Sequence, residues 1–288
     1  MNVLSLHSSV ALGSVGNSGA AFALRRLGHA VWPIDTVVLS NHPGHGGFRG
    51  RSMPPEQMAE LVEGLAERGA LGRCDPILTG YLGAAEQGPV ILDAVARVRR
   101  ANPKALWLVD PVIGDGHGAG GRIYVKPGIA EWLRDRARPR ADILTPNGFE
   151  LAFLSERTPE TTEAALDAAR ALRAETTRPA CAVVATGLRL RDAPAGVLTL
   201  LAVDAEGAWR ATVQRAEHPA HGAGDVFAAL LLGRTLSGEP LPRALGASAA
   251  SVSGLIARTD PADPDLALVA AQDEIATPRV TVAVERLT

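Results

Sequence analysis

The 288-residue sequence predicts an α/β fold in three layers, with helices on both faces of a central, mostly parallel β-sheet. Apolar runs of strand length alternate with amphipathic segments of helix length along most of the chain. Two late apolar runs flank Asp204-Ala205-Glu206-Gly207, which predicts a hairpin and therefore an antiparallel edge to the sheet. No internal repeat or linker-like stretch interrupts the alternation, so residues 1–288 are expected to form a single domain.

The predicted strands are short and apolar. They cover residues 3–6, 30–39, 76–82, 105–109, 142–144, 181–185, 197–203 and 209–213. Because strands joined through helices run parallel, their carboxyl ends should meet at one edge of the sheet, where ligands bind in open α/β folds. Loops of functional interest are therefore expected after Leu6, Leu82, Val109, Leu144, Ala185 and Val213.

The predicted helices repeat apolar residues at helical spacing. They cover residues 17–27, 54–69, 87–100, 129–138, 159–175, 224–236, 241–257 and 265–275. Gly28 is a suitable stop for the first helix, and Pro54-Pro55 is a suitable start for the second. The helix over 224–236 is apolar almost all round, which predicts that it is buried.

Composition and charge exclude several classes of protein. The net charge of −2 gives no electrostatic reason to expect a nucleic acid or an anionic membrane as a partner. Cys74 and Cys181 lie far apart, so they are expected to be buried packing residues rather than a metal pair or a disulfide. The N-terminus lacks the basic residues of a signal peptide, and no apolar stretch is long enough to span a bilayer. A cytoplasmic location is expected.

The run His221-Gly222-Ala223-Gly224-Asp225 is the strongest chemical signal in the sequence. Small residues here lead into a buried helix, whose first N–H groups are free to face an anion. Asp225, in the first turn, could take a proton from a hydroxyl that attacks phosphorus, so residues 222–225 are candidate catalytic residues. The plain alternative is close packing of small residues with Asp225 as a helix cap.

Two further polar clusters follow predicted strands. Asp110 lies at the end of a buried strand, where a carboxylate is costly unless it is paired or close to a cation. Thr145-Pro146-Asn147 and Glu150 gather a hydroxyl, an amide and a carboxylate, which suit a magnesium–phosphate group. The alternative is a capping box, in which Thr145 or Asn147 caps the next helix and Glu150 completes the motif. Both interpretations can hold together.

Two apparent nucleotide motifs fail on their context. Gly116-His117-Gly118-Ala119-Gly120-Gly121 matches G-x-G-x-x-G, but residues 122–127 are typical of extended chain rather than a helix. A Walker A loop is excluded because neither Lys104 nor Lys126 follows a glycine. His42-Pro43-Gly44-His45 lacks the spacing of a helical metal pair and predicts a turn or flap.

Motifs spread over nearly the whole chain resemble those of the pyridoxal kinases of the ribokinase-like superfamily. In chain order they are Gly16-Asn17-Ser18, Ser40-Asn41-His42, Thr79-Gly80-Tyr81-Leu82-Gly83, Asp110-Pro111-Val112, Tyr124-Val125, Thr145-Pro146-Asn147, Gly222-Ala223-Gly224-Asp225 and Ala270-Ala271-Gln272-Asp273. The run ending in Asp225 is shared with sugar kinases, whereas the GNS, SNH, GYLG and AAQD runs narrow the resemblance to pyridoxal kinases. It implies a ribokinase-like fold and ATP-dependent phosphorylation of the 5′-hydroxymethyl group of pyridoxal, with pyridoxine and pyridoxamine as further possible substrates.

The resemblance also implies roles for individual residues. Asp225 would be the base, and the N–H groups of Gly222, Ala223 and Gly224 would hold the charge of the transferring phosphoryl group. ATP and Mg²⁺ would be held, partly through water, by Asp110, Asn147 and Glu150. A monovalent cation such as K⁺ would lie near Asp110, Thr145 and Thr186. Ser8 and Tyr81 would contact pyridoxal, the loop over 114–121 would fold over the nucleotide, and the protein would be a homodimer.

The predicted flap departs from the family pattern. Many members have a threonine after the SNH run, whereas this chain has Pro43, Gly44 and His45. Pro43 offers no side-chain donor, so His45 is the candidate replacement for substrate contact. Three other functions fit the sequence less well: a hydroxymethylpyrimidine kinase, which often has Cys in place of Asp225; a sugar or nucleoside kinase; and a non-catalytic vitamin B6-binding protein.

Overall fold

A ten-stranded β-sheet forms the centre of the protein in the computed structural model, which describes residues 1–116, 121–218 and 220–287. The strands are β1 (Asn2–Leu12), β2 (Ala30–Asn41), β3 (Gly50–Ser52), β4 (Pro76–Thr79), β5 (Leu106–Val109), β6 (Gly114–Asp115), β7 (Arg122–Ile123), β8 (Ile143–Leu144), β9 (Ala182–Leu188), β10 (Val197–Val203), β11 (Ala208–Gln214) and β12 (Val284–Leu287). The order across the large sheet is β12-β11-β10-β9-β8-β5-β4-β1-β2-β3, and β6 pairs with β7 separately.

The middle of the large sheet is parallel and its edges are antiparallel. Strands β9, β8, β5, β4, β1 and β2 run parallel to one another. At one edge β3 is antiparallel to β2, and at the other β10, β11 and β12 form an antiparallel meander. The predicted late hairpin is thus confirmed as β10–β11. The carboxyl ends of the six parallel strands meet at one edge of the sheet, which is the edge that binds ligands in such folds.

Helices cover both faces of the sheet, as the alternation of strands and helices predicts. They are α1 (Asn17–Arg26), α2 (Pro55–Glu67), α3 (Gln87–Ala101), α4 (Ile129–Trp132), α5 (Gly148–Ser155), α6 (Thr162–Ala174), α7 (Ala223–Leu236), α8 (Leu241–Ala257) and α9 (Asp273–Ala276). One apolar cluster joins α2–α6 to the sheet, and a second joins α1, α7, α8 and α9 to the opposite face. None of the described helices is both long enough and apolar enough to cross a membrane.

Three predicted helices differ from the observed ones. The helix predicted over 265–275 is wrong except for the short α9, because Asp265 instead pairs with His221 as a β-bridge and Thr259 Oγ1 accepts from the Ala267 N–H. The helix predicted over 129–138 becomes a π-helical turn after α4 and then a 3₁₀ turn that contains Pro139, which has no N–H to continue the ladder. Helix α6 begins at Thr162, after the N-cap Thr161, rather than at Pro159.

The strands also differ from prediction at the edge that binds ligands. Strand β1 continues past Leu6 to Leu12, and β9 continues past Ala185 to Leu188, whereas β4 already ends at Thr79. The short strands β3, β6, β7 and β12 were not predicted, because runs of two to four residues carry too little periodicity of their own. Cys74 and Cys181 are free and buried, as predicted. Of the G-x-G-x-x-G run, residues 117–120 lie outside the described part of the chain; β7, which follows it, is extended as predicted.

A buried carboxylate fixes β8 against β5. Asp142, immediately before β8, accepts hydrogen bonds from the N–H of Trp107 at 2.8 Å and from the guanidinium groups of Arg99 and Arg178, each at 2.6 Å. Trp107 is fully buried, and its indole N–H donates to Thr79 Oγ1 at 3.0 Å. These contacts set the relative positions of β4, β5 and β8, the strands whose ends lead to Asp110 and Thr145.

We expect Asp142→Ala to lower the free energy of unfolding by about 3 kcal/mol, because it leaves two arginines and a buried N–H without their acceptor. The control is Asp135→Ala, which removes an exposed pair with Arg134 and should change stability by about 0.5 kcal/mol or less. Urea denaturation followed by circular dichroism measures both variants. Equal effects in the two would contradict the structural role of Asp142.

Candidate active site

The candidate site lies at the carboxyl edge of the parallel strands, where the first turn of α7 meets the ends of β1, β4, β5 and β8. Asn17, at the start of α1, links the elements that form the base of the site. The Asn17 side chain accepts from Ser5 Oγ at 2.6 Å and donates to Asp35 Oδ1 at 2.8 Å, so it joins β1, α1 and β2. The preceding residue, Gly16, adopts a positive φ of 59°, and a Cβ there would lie 2.1 Å from the carbonyl oxygen of Ser8. Only glycine fits this position.

Asp225 faces the loop between β1 and α1 and does not cap its own helix. The N-cap of α7 is Gly222, and no side chain caps the helix. Asp225 Oδ2 instead accepts from the Gly16 N–H at 2.6 Å, and Oδ1 lies 3.2 Å from His7 Nε2. The helix-cap alternative for Asp225 is therefore wrong. Burial opposes ionisation, but His7 and the Gly16 N–H outweigh it and hold the pKa of Asp225 below its usual value.

The N-terminus of α7 presents backbone donors beside this carboxylate. Among the described residues, the N–H groups of Gly222, Gly224 and Asp225 have no hydrogen-bond acceptor, while the Ala223 N–H donates to Ala220 O at 3.2 Å. No atom lies within 4 Å of the position that a Cβ on Gly224 would take, so the space beside it is open. Free N–H groups and the positive end of the helix dipole favour an anion at this position.

His7 lies within β1, which is longer than predicted, and its Nε2 is 3.2 Å from Asp225 Oδ1. Its Nδ1 accepts from the Ser8 N–H at 2.8 Å and from the Tyr81 N–H at 3.3 Å. The ring of His7 is almost completely buried and packs against Gly80, where a Cβ would lie 2.0 Å from Nε2. The sequence alone assigned no role to His7. Its position directly after the predicted end of the first strand, where functional residues are expected, could have indicated one.

Asp110 brings a second carboxylate to the same place. Atoms of His7, Asp110 and Asp225 all lie within 4.8 Å of one another, which is the spacing of a candidate metal site. Asp110 Oδ1 accepts from Thr145 Oγ1 at 2.9 Å. Burial, together with repulsion from Asp225, raises the pKa of Asp110 to about 7. A divalent cation near Asp110 would relieve both effects, so Asp110 fits the magnesium role that the sequence suggests for it.

Glu150 and Asn147 form the capping box that the sequence allows as an alternative. Asn147 Oδ1 accepts from the Glu150 N–H, and Glu150 Oε2 accepts from the Asn147 N–H, each at 2.9 Å. Glu150 Oε1 also accepts from the Ile113 N–H at 3.0 Å, and the Asn147 amide donates to Gly114 O at 2.9 Å. Burial and the charge of Asp110 raise the pKa of Glu150 well above its usual value. The capping box is therefore confirmed, and it anchors the start of the loop over 114–121.

The remaining predicted residues gather around this centre. The Thr186 N–H donates to Pro146 O at 2.8 Å, and Thr186 forms a bridge with Asn147, so it lies beside α5 and within β9. Ser8 occupies the irregularity in the pairing of β1 with β2, and its hydroxyl lies 3.3 Å from His7 Nδ1. Tyr81 is partly buried and reaches His7 through its N–H. Bulges of this kind are common next to active sites.

The predicted flap is a 3₁₀ turn, Pro43–His45, that three histidines connect to α7. The rings of His42 and His221 lie 4.1 Å apart, and those of His45 and His221 lie 5.8 Å apart. His45 Nε2 lies 3.3 Å from Asp265 Oδ1. Burial, with repulsion between the rings, lowers the pKa of His42, and burial lowers the pKa of His221 despite Asp265. The sequence alone assigned no role to His221 or to Asp265, because these residues meet the flap only through the tertiary fold.

Comparisons with known proteins agree with this geometry. Residues 50–264 match the family model described as phosphomethylpyrimidine kinase. A protein of Rubrobacter xylanophilus named pyridoxal kinase PdxY is 44% identical over 100% of this chain and 98% of the relative. A protein of the same name from Leifsonia xyli subsp. xyli is 42% identical over 100% of both. The structure of pyridoxal kinase from Leishmania donovani with ADP has a TM-score of 0.88 and 30% identity, covering 100% of this chain and 99% of that one.

We expect the stability of the metal-free protein to fall as pH rises through the titration of Asp110. The unfolded pKa of 3.8 lies below the folded pKa of about 7, so the folded state binds more protons in that window. Raising the pH then favours the unfolded state, by at most about 1.4 kcal/mol per pH unit for one group. Asp110→Asn should flatten this dependence, whereas Asp93→Asn, at an exposed carboxylate of α3, should leave it unchanged.

Urea denaturation in a metal-chelating buffer, at intervals between pH 5 and pH 8, measures this dependence. A slope in Asp110→Asn as steep as that of the wild type would contradict the assignment of the raised pKa to Asp110; a smaller remaining slope is expected from Glu150, whose pKa is also raised.

Proposed function

Because this chain belongs to the pyridoxal kinase family, we propose that it transfers the γ-phosphoryl group of ATP to the 5′-hydroxymethyl group of pyridoxal. The product is pyridoxal 5′-phosphate, and the role is salvage of vitamin B6. The observation that supports this most strongly is the position of the Asp225 carboxylate beside N–H groups of α7 that have no acceptor among the described residues. A carboxylate that accepts a proton, next to donors for phosphoryl oxygens, is the arrangement that phosphoryl transfer requires.

In the proposed reaction the substrate hydroxyl gives its proton to Asp225 as its oxygen bonds to the γ-phosphorus. The bond between that phosphorus and the oxygen bridging to the β-phosphate breaks, and ADP leaves. The N–H groups of Gly222 and Gly224 stabilise the negative charge on the transferring oxygens. Asp225 remains ionised at neutral pH because, in spite of burial, its pKa is not raised, so its carboxylate is free to accept a proton. Positioning and neutralisation of charge account for most of the expected rate enhancement.

Mg²⁺ and a monovalent cation complete the proposal. Asp110 would hold Mg²⁺, with Glu150 and Asn147 behind it and partly through water; when bound, the ion neutralises phosphate charge. The raised pKa of Asp110 supports this role, because it reports a buried site rich in negative charge. Thr145 and Thr186 would lie near a cation such as K⁺. Occupation of either site would favour the ionised form of Asp110.

The identity of the substrate rests on relatives and on the pocket residues. The Leishmania donovani enzyme has been solved with ADP and pyridoxamine and with ADP and pyridoxine, so both vitamers are proposed as further substrates. Ser8, Tyr81 and His45 are proposed to contact the vitamer. His45 Nε2 lies 3.3 Å from Asp265 Oδ1, so a contact of His45 with substrate would come from another side of the ring. We also propose a cytoplasmic homodimer, as the family suggests.

A hydroxymethylpyrimidine kinase is the second candidate function. The description of the matching family model supports it, since that model bears the name phosphomethylpyrimidine kinase. Asp225 favours pyridoxal, because hydroxymethylpyrimidine kinases often have cysteine at this position. A sugar kinase would instead phosphorylate ribose, and a non-catalytic vitamin-binding protein would bind pyridoxal without phosphorylating it.

We expect the purified protein with Mg-ATP to phosphorylate pyridoxal with a higher kcat/KM than hydroxymethylpyrimidine or ribose. A coupled assay for ADP and mass spectrometry of the products measure each reaction, with pyridoxine and pyridoxamine in the same panel. Phosphorylation of hydroxymethylpyrimidine alone would establish the second candidate. Binding of pyridoxal without any product would favour the vitamin-binding protein.

We expect Asp225→Ala to lower kcat for pyridoxal by about 10²–10⁴-fold, because it removes the general base. The affinity for ADP should stay within about threefold, since backbone groups rather than this side chain bind phosphates. The matched control is Glu163→Gln, which changes an exposed acid in the first turn of α6 and should leave kcat unchanged. Steady-state kinetics and calorimetry with ADP measure the two quantities. Turnover near that of the wild type in Asp225→Ala would overturn the role of the base.

A further inference from the structure

We propose that His7 is the positioning residue for Asp225: a neutral imidazole, fixed in the Nε2–H tautomer, that holds one oxygen of the base. The inference rests on the proposed function and adds a residue to it. Two contacts define the orientation of the Asp225 carboxylate. The Gly16 N–H donates to Oδ2 at 2.6 Å, and His7 Nε2 approaches Oδ1 at 3.2 Å.

Two backbone donors decide the tautomer. The Ser8 N–H at 2.8 Å and the Tyr81 N–H at 3.3 Å both point at Nδ1. Both donors point at the single lone pair that Nδ1 can offer, so Nδ1 carries no proton and the hydrogen of the neutral ring is on Nε2. Burial lowers the pKa of His7, but the carboxylates of Asp225, Asp110 and Asp35 outweigh burial and raise it above its usual value. The two N–H groups oppose protonation of the ring nonetheless, because a second proton on Nδ1 would face two donors and no acceptor.

The same tautomer argues against a metal at His7. An imidazole binds a metal ion through a nitrogen lone pair. Nε2, the nitrogen that faces Asp110 and Asp225, holds the proton and is a donor instead. The close grouping of these three residues is therefore better explained by the 3.2 Å contact between His7 and the base than by a shared ion.

The surroundings leave Nε2 no other partner. Gly80 lies against the ring so closely that a Cβ would come within 2.0 Å of Nε2, and among the described residues Nε2 makes no aligned hydrogen bond, its 3.2 Å approach to Asp225 Oδ1 included. The Nε2–H is not well aligned with Oδ1 in this structure. Catalytic contacts of this kind commonly tighten when the substrate binds. His7 thus holds Oδ1 while the remaining lone pairs of the carboxylate stay available to the substrate hydroxyl.

Substitutions that keep or remove the donor test this role. His7→Gln can present an amide N–H where Nε2 lies, whereas His7→Leu keeps the volume and loses the donor. The control is His29→Gln, which replaces a buried histidine whose Nε2 lies 3.0 Å from Gly233 O, away from the site. Circular dichroism and thermal melts confirm that each variant is folded.

We expect His7→Leu to lower kcat for pyridoxal by about 10- to 100-fold, the usual cost of losing a partner that orients a functional group. KM for ATP and for pyridoxal should stay within about threefold, and His7→Gln should recover most of kcat. His29→Gln should match the wild type. Unchanged kcat in His7→Leu, or a His7→Gln variant no better than His7→Leu, would overturn the proposal. A wild type that phosphorylates another member of the substrate panel would be tested with that substrate.

A second measurement requires no activity. In protein with ¹⁵N-labelled histidine, assigned by the signal that His7→Gln lacks, Nδ1 of His7 should resonate as an unprotonated nitrogen at pH 7 and Nε2 as a protonated one. A protonated Nδ1 would overturn the proposal whatever the kinetics. If the wild type is inactive on the whole panel while this signature is present, the proposed function fails and the tautomer assignment stands.

Discussion

The site depends on keeping negative charges close together inside the protein. Asp110, Asp225 and Glu150 are carboxylates at one edge of the sheet; burial and neighbouring charge raise the pKa of Asp110 and Glu150, while that of Asp225 is lowered. The difference comes from the partners of each carboxylate. Asp225 has the Gly16 N–H and His7 beside it, whereas Asp110 has the Thr145 hydroxyl. Asp225 is thereby kept ionised, whereas Asp110 needs a nearby cation to be fully ionised at neutral pH.

Close backbone approach makes this arrangement possible. Gly16 and Gly222 both have positive φ, and a Cβ on either would lie 2.1 Å from a carbonyl oxygen, of Ser8 and of Ser14 respectively. Gly80 makes the corresponding space for the His7 ring. These glycines lie in the GNS, GYLG and GAGD runs of the sequence, so the motifs mark places where main chain or ring must pass within contact distance. The glycines of these motifs therefore determine the geometry of the site rather than its chemistry.

The sequence predicted the layered sheet, the late hairpin and the position of Asp225 in the first turn of α7, because each depends on local periodicity or on adjacent residues. It could not predict the partners of Asp225, since Gly16 is 209 residues away and His7 farther still. The same reason explains the link between His45 and Asp265. Where the interpretation failed, over 265–275, pairing with His221 replaced a helix that the local pattern favoured.

The contact between Gly16 and Asp225 also has a consequence for synthesis on the ribosome. At about 5–20 residues per second, the 209 residues between these partners take roughly 10–40 s to translate. Just before Asp225 is added, the nascent chain already contains β1, β2, β4, β5 and β8, but it lacks the base and most of the helix that carries it. A product truncated before residue 225 would retain most strands of the pocket and none of the catalytic carboxylate on α7. The site therefore becomes complete only once synthesis has reached the last third of the polypeptide, which contains α7.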